Sequence, residues 1–337
     1  MLVFAPSGGP EEYAGARIRG VPGIPFPPYP QVRLSPAHPG VGRDLRRFKP
    51  EVIHVVNPAV LGPGGVYYAW RMKVPLVASY HTNIATYAPH YKLSFLIGLT
   101  RSATRFMHNQ AQINLCTSEA TRKYLSSEGI ERLRLWPQGV DARRFHPDKA
   151  SKEWRIRLSG GHPAEKVLLF VGRLAPEKGI ERLKVIVERV PGVRLAIVGD
   201  GPVRKELESE FRGTPTVFTG FLHGGELARA YASADVFLFP STTDTLGMAM
   251  LEAMASGLPV VAARSGASRE VVDAGKNGLL YEANSGEALA DAIHTLFADD
   301  VFYENLSRGA RTAAEERDWK SSTETLRSYY EEAKNGR

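Results

Sequence analysis

The stretch Ser241-Thr-Thr-Asp244-Thr-Leu-Gly247-Met-Ala-Met-Leu-Glu252-Ala-Met-Ala-Ser-Gly257 places two carboxylates eight positions apart, across a loop and into a helix. Asp244 sits in a polar Ser/Thr run that lacks a helical apolar period. Gly247 opens a run of strong helix formers, and Gly257-Leu-Pro259 stops it. If most of the span is helical, the two acids lie on the order of 10 Å apart, at about 1.5 Å rise per residue. That is too far for a shared proton or a single metal ion. It suits one elongated polar ligand held at two points.

Outward from this stretch, the C-terminal half alternates apolar strands with amphipathic helices. Lys166–Val171, Arg194–Val198, Thr216–Thr219, Val236–Phe239 and Pro259–Ala262 read as strands. Gly179–Val190, Val203–Phe211, Glu226–Ala232 and Ser268–Ala274 read as the helices between them. The pattern predicts a parallel sheet covered on both faces, with ligands at the carboxyl ends of its strands. The N-terminal half reads similarly but less regularly. Val52–Val56, Leu76–Ser79 and Ile113–Cys116 look like strands, and the Pro- and Gly-rich stretch Arg17–Gly40 reads as loop. A boundary is expected between Phe145 and Gly161, and Trp319–Ala333 reads as a C-terminal helix.

At 337 residues the chain has room for two domains. No apolar run is long enough to cross a bilayer as a helix. Met1–Pro6 lacks the basic segment and cleavage pattern of a signal peptide. The single cysteine, Cys116, cannot form an internal disulfide. Charge is uneven. Residues 1–150 hold 19 Lys and Arg against 9 Asp and Glu, whereas residues 151–337 hold 24 against 27. The basic half therefore points to an anionic partner, set against the plainer reading of a solvated surface.

Several motifs carry chemistry. Gly172-Arg173-Leu-Ala-Pro-Glu177-Lys178-Gly179 ends a strand and opens a helix. Arg173 and Lys178 there can hold an anion, helped by the helix N-terminus. The plainer alternative is a salt bridge from Glu177 to a neighbour. Gly199-Asp200-Gly201-Pro202 is a second strand-to-helix turn, where glycine allows a ligand close to the backbone. Ser265-Gly266-Ala267-Ser268 lies at a further strand end. His81, in Ser79-Tyr80-His81-Thr82-Asn83, follows a strand at its ligand-facing end and can hydrogen-bond a sugar or phosphate oxygen. Tyr87, His90 and Tyr91 come next and suit an acceptor side. Lys92–Gln110 reads as an amphipathic helix with Arg101, Arg105 and His108 on one face, an ordinary surface helix or a membrane-facing edge. No zinc spacing, P-loop, nucleophile elbow or nucleic-acid module is visible.

Taken together, the acidic stretch and the Arg173/Lys178 loop resemble retaining GT-B glycosyltransferases of family 4. In that family the first acid, usually Glu and here Asp244, contacts the donor sugar; the second, here Glu252, contacts the nucleotide ribose. Further stretches resemble the sulfoquinovosyltransferases, or sulfolipid synthases, within it. They include Phe48–His54, Ser79–Thr82, Tyr87–Tyr91, His108–Ala111, Asn114–Ser118, Arg134–Asp141, Phe145–Pro147 and Thr243–Gly247. The resemblance covers nearly the whole chain.

The resemblance implies two Rossmann-like parallel-sheet domains facing a cleft: residues 1–147 on the acceptor side, 148–318 on the donor side, and 319–337 crossing back. It implies transfer of sulfoquinovose from UDP-sulfoquinovose to diacylglycerol with retention, without cofactor or metal. Arg173, Lys178, Asp244 and His81 would be catalytic. Glu252, Gly199, Gly201, Thr245, Leu246, Gly247, Ser265 and Gly266 would bind donor. A peripheral position on an anionic membrane is implied, on the cytoplasmic side in a cyanobacterium-like cell or in a plastid, and no nucleic-acid partner. The other readings are a mannosyltransferase using GDP-mannose and a non-catalytic nucleotide-sugar-binding protein. Such a first domain normally opens with an earlier strand, a glycine-rich loop and a helix, so this one is expected to lack its first β-α unit, encoded upstream of Met1.

Overall fold

The computed structural model describes residues 1–26, 29–35, 38–56, 61–81 and 97–336. The chain divides into two compact units, residues 1–136 with 324–337, and residues 137–323. The expected boundaries at 147/148 and 318/319 fall inside the second unit. Phe145 explains the first of these. It stacks edge-on against Tyr231, and Arg311 binds the carbonyls of Ala142 and Phe145, so this linker is part of the second unit's core.

In the first unit the strands are β1 (Leu2–Pro6), β2 (Glu12–Tyr13), β3 (Ala16–Val21), β4 (Ile24–Phe26), β5 (Tyr29–Leu34), β6 (Ile53–Val56), β7 (Leu76–Tyr80), β8 (Ile113–Cys116) and β9 (Leu133–Leu135). The last four form a parallel sheet in the order β6-β7-β8-β9. The stretch read as loop, Arg17–Gly40, instead holds β3, the β4-β5 hairpin and the start of the helix Pro39–Phe48. Proline and glycine misled there, because short strands accept both at their ends and edges. β1 pairs in parallel with β3.

Helix Trp319–Asn335 begins in the second unit and ends in the first. Its Leu326, Tyr329, Tyr330 and Ala333 pack on Val77, Ile113, Leu115 and Trp136. The Tyr329 hydroxyl donates to the Leu135 carbonyl at 2.8 Å.

The second unit contains β10 (Lys166–Val171), β11 (Val193–Val198), β12 (Thr216–Gly220), β13 (Val236–Phe239), β14 (Val260–Ala263) and β15 (Gly278–Tyr281). All pairs are parallel, in the order β12-β11-β10-β13-β14-β15. Alternate residues feed opposite cores. Val167, Leu169, Phe237 and Val260 pack with Trp154, Tyr231 and Met250 on one face. Leu168, Phe170, Leu238 and Val261 pack with Ile186, Leu207 and Ile293 on the other. Burial on both faces is why these strands read as unbroken apolar runs. Among the described residues, no helix is long and apolar enough to cross a membrane.

Candidate active site

The strand order of the second unit reverses between β10 and β13. At such a switch point the loops leaving the two strands diverge to opposite faces and open a crevice at the carboxyl edge. Those two loops are the ones the sequence marked, 172–179 after β10 and 240–247 after β13. They are tied together twice. Lys178 Nζ donates to Asp244 Oδ1 at 2.5 Å, and Thr243 Oγ1 donates to the Glu177 carbonyl at 3.2 Å. The second carboxylate oxygen, Asp244 Oδ2, is buried and has no hydrogen-bond partner among the described residues. A buried unpaired carboxylate oxygen is costly unless a ligand supplies a donor, and a sugar hydroxyl is one.

Arg173 is engaged by Glu177, the salt bridge that was the plainer reading of this loop. Glu177 is itself buried, so it holds the guanidinium at a fixed place. The loop does not open directly into an α-helix. Two short 3-10 turns, Pro176–Lys178 and Ile180–Leu183, precede the helix Lys184–Arg189. Positive potential at this point therefore rests on the two side chains and not on a helix end.

Helix Met248–Ala255 starts from Gly247, whose φ of 77° is left-handed. Leu246 is buried in the core beneath the loop, so only its backbone can face a ligand; Thr245 beside it is half-buried. Glu252 is mostly buried and accepts a hydrogen bond from the Tyr231 hydroxyl at 2.9 Å. Burial raises the Glu252 pKa, with the Tyr231 bond and the Arg144 charge opposing.

Gly199 and Gly201 have a structural reason to be glycine. A Cβ on Gly199 would lie 1.9 Å from the Gly172 carbonyl oxygen, and one on Gly201 would lie 2.2 Å from the Leu174 oxygen. The turn after β11 is pressed against the Arg173 loop. Ser265 and Ser268 cap each other's backbone at the start of the helix Gly266–Val271, which occupies both hydroxyls.

In the first unit, His81 Nε2 lies 3.0 Å from Ser79 Oγ, and burial lowers its pKa. Ser79 also meets His54 Nε2 at 2.9 Å, and His54 Nδ1 meets the Tyr330 hydroxyl at 2.7 Å. Sequence reading missed His54, Ser79 and Tyr330 as a group. The available signal was a histidine inside an apolar strand pattern. Tyr87, His90 and Tyr91 lie outside the described residues, as does the 92–96 end of the amphipathic helix. The helix Ile97–His108 leaves Arg101 and Arg105 exposed, but His108 is fully buried and bonded to Asn114 Oδ1 at 2.8 Å. It belongs to the core because it closes the helix over β8, and it is not part of a basic face. An apolar cavity of about 420 Å³ opens in this unit beside Phe4, Leu45, Ile53, Val55, Tyr68 and Tyr330. Among the described residues, no cluster of three His, Cys, Asp or Glu could hold a metal ion.

Two parallel-sheet α/β units, with paired cations and carboxylates at a switch point, define a GT-B glycosyltransferase. Residues 1–144 match Glycosyltransferase Family 4, and residues 165–299 match Glycosyl transferases group 1. The chain is 41% identical to the sulfoquinovosyl transferase SQD2 of Arabidopsis thaliana over 97% of its length, and spans 66% of that protein. It is 37% identical to a GDP-mannose-dependent alpha-mannosyltransferase of Mycobacterium tuberculosis over 98% of its length, covering 87% of that enzyme. The chain therefore belongs to glycosyltransferase family 4. Among solved structures, HepE from Anabaena with UDP and glucose superposes with a TM-score of 0.78 at 21% identity, covering 94% of this chain and 86% of that one. Sucrose-phosphate synthase from Thermosynechococcus elongatus gives 0.77 at 22% identity, covering 98% and 88%.

Proposed function

We propose that this glycosyltransferase moves sulfoquinovose from UDP-sulfoquinovose to diacylglycerol with retention at the anomeric carbon. The observation that carries a sugar-nucleotide reaction is the Lys178–Asp244 pair with its open carboxylate oxygen. Asp244 Oδ2 accepts from a sugar hydroxyl, and Glu252 holds the ribose. Lys178 and Arg173 trade their carboxylate partners for diphosphate oxygens as negative charge develops on the leaving group, where fixed cations act most strongly. His81 orients the sugar. The acceptor hydroxyl attacks from the leaving-group face, so no carboxylate nucleophile is needed.

The choice of sulfoquinovose is supported by the 41% identity to the Arabidopsis enzyme. The basic N-terminal half suits a sulfonated donor and an anionic membrane surface. Exposed Leu99 and Phe106, with Arg101 and Arg105 between them in the chain, suit a peripheral position on the cytoplasmic side of that surface. A second reading, mannosyl transfer from GDP-mannose, is favoured by the mannosyltransferase of which the chain covers 87%.

A donor panel decides between them. Purified protein with diacylglycerol vesicles receives UDP-sulfoquinovose, UDP-glucose or GDP-mannose, and the lipid product is quantified. Turnover with UDP-sulfoquinovose, tens of times above the others, is expected. Turnover with GDP-mannose alone would replace the sulfolipid reading with the mannosyl one.

A further inference from the structure

Glu252 does not stand alone in the second unit. Tyr231, on the helix Gly224–Ala232, reaches it from the side, and both helices feed the same core cluster. Tyr231 is wholly buried. Phe145 meets its ring edge-on at 5.6 Å between centroids, and Phe237 lies tilted beside it at 5.8 Å. A ring held in close packing has one place for its hydroxyl. That hydroxyl donates to Glu252 Oε2 at 2.9 Å.

The two carboxylate oxygens therefore differ. Oε2 is engaged by a donor that cannot swing away. Oε1 has no hydrogen-bond partner among the described residues, yet it is not shut off from solvent. Burial, then the Glu252 charge, keeps the Tyr231 phenol protonated, so it stays a donor. Burial raises the Glu252 pKa, and the Tyr231 bond and the Arg144 charge oppose this. The phenol thus favours the ionised carboxylate, which only accepts. An oxygen that accepts, held at a fixed place and left open, suits a ligand hydroxyl.

We propose that Tyr231 is a positioning residue for Glu252, aiming its free oxygen at the ribose hydroxyls of the donor nucleotide and so making the site discriminate against nucleotides that lack them. This rests on the reading of Glu252 as the ribose contact. A fixed acceptor is left unpaired when the ribose hydroxyls are missing, and the affinity falls. A carboxylate free to turn toward water loses much less. The Tyr231 bond therefore converts the presence of ribose hydroxyls into affinity. A bond that merely braced two helices would affect all nucleotides alike.

Calorimetry with UDP and 2′,3′-dideoxy-UDP separates these roles, or with the guanosine pair if the donor panel selects GDP-mannose. The wild type is expected to prefer the ribonucleotide about thirtyfold. Tyr231→Phe keeps the ring and its packing. It should weaken UDP about tenfold, leave dideoxy-UDP within about twofold, and shrink the preference to about threefold. Glu252→Ala should abolish the preference. Glu252→Asp keeps the charge but draws the carboxylate back from Tyr231, and it should lose most of the preference too. Unchanged discrimination in Tyr231→Phe or in Glu252→Asp overturns the proposal. So does an equal loss of both nucleotides in Tyr231→Phe with the thermal transition intact. If Glu252→Ala still removes the preference in those cases, the ribose contact stands without its positioning residue. A wild type that binds both nucleotides equally would overturn the ribose contact itself.

Discussion

Lys178 and Asp244 are an ion pair between two loops and, in the proposed reaction, two reagents. Those roles are separable. Their side chains are 17% and 16% exposed, so removing one partner strands the other in a poorly solvated place. Lys178→Ala is expected to lose about 1–3 kcal/mol of stability in urea denaturation, the cost of an unpaired group. Adding Asp244→Ala should restore most of that stability, because the orphan is gone. Turnover should not recover: both the single and the double variant are expected to fall about a hundredfold or more, since Arg173 alone remains where the diphosphate departs. Recovery of turnover with stability would make the pair purely structural. These residues were legible in the sequence because motif spacing carries them within one loop each. His54, Ser79 and Tyr330 were not, since three distant segments meet only in the fold. His54 also makes a prediction about pH. Burial, then the neighbouring His81, lowers its pKa from 6.5 to about 4. Between these values the unfolded chain binds a proton that the folded chain does not. Its contribution is therefore fully present above pH 6.5 and is lost as pH falls toward 4, at roughly 1.4 kcal/mol per pH unit for one group. The urea midpoint of the wild type should drop between pH 7 and pH 5. His54→Gln should be less stable at pH 7 but show a shallower decline. An unchanged slope would mean that His54 is not held neutral.

Elements were most legible where two physical signals agreed. Strands β10, β11 and β13 are buried on both faces, so apolar runs bounded by turns found them to within a residue. The β14 strand begins one residue later than expected, because Pro259 has no N–H to give to the ladder. β15 and β9 escaped notice, being only four and three residues long and partly exposed. The 3-10 turn Ile180–Leu183 and the helix Lys184–Arg189 were read as one α-helix because their apolar spacing is the same over so short a span. At this scale Gly199 and Gly201 separate two explanations of one motif. If glycine is there only to admit a ligand, alanine leaves the unliganded protein as stable as before. The close approach to Gly172 and Leu174 says otherwise. Gly201→Ala must push two backbones apart and is expected to cost about 1–3 kcal/mol without any ligand. The same shift moves the Arg173 loop, so UDP affinity by calorimetry should also weaken. An unchanged melting temperature together with lost UDP binding would restore the ligand-only explanation.

For the whole molecule, the informative quantity is how charge and exposed apolar surface are distributed. Residues 1–150 carry 19 basic against 9 acidic side chains, and the remainder carry 24 against 27. Fold stability does not require that division, since either sign solvates well. Within the basic half, the helix Ile97–His108 exposes Leu99 at 69% and Phe106 at 68%, about two turns apart on the same side of the helix. Arg101 and Arg105 lie between them, and Arg101 has only a loose pairing with Glu128 at 3.6 Å. Large apolar side chains kept in water beside cations are what an interface helix needs: apolar groups enter the acyl boundary while guanidinium groups stay among phosphates. The two contributions respond to different conditions. Coulomb attraction fades with salt, as the screening length falls to about 10 Å at 0.1 M, whereas apolar insertion does not. The protein should float with vesicles containing anionic lipid more than with neutral ones, and salt should narrow the difference. Arg101→Glu with Arg105→Glu should abolish the preference for anionic lipid. Leu99→Ser with Phe106→Ser should lower binding to both kinds of vesicle and preserve the preference. Equal flotation of wild type with both lipids, or no effect of either double variant, would make this helix an ordinary solvated surface.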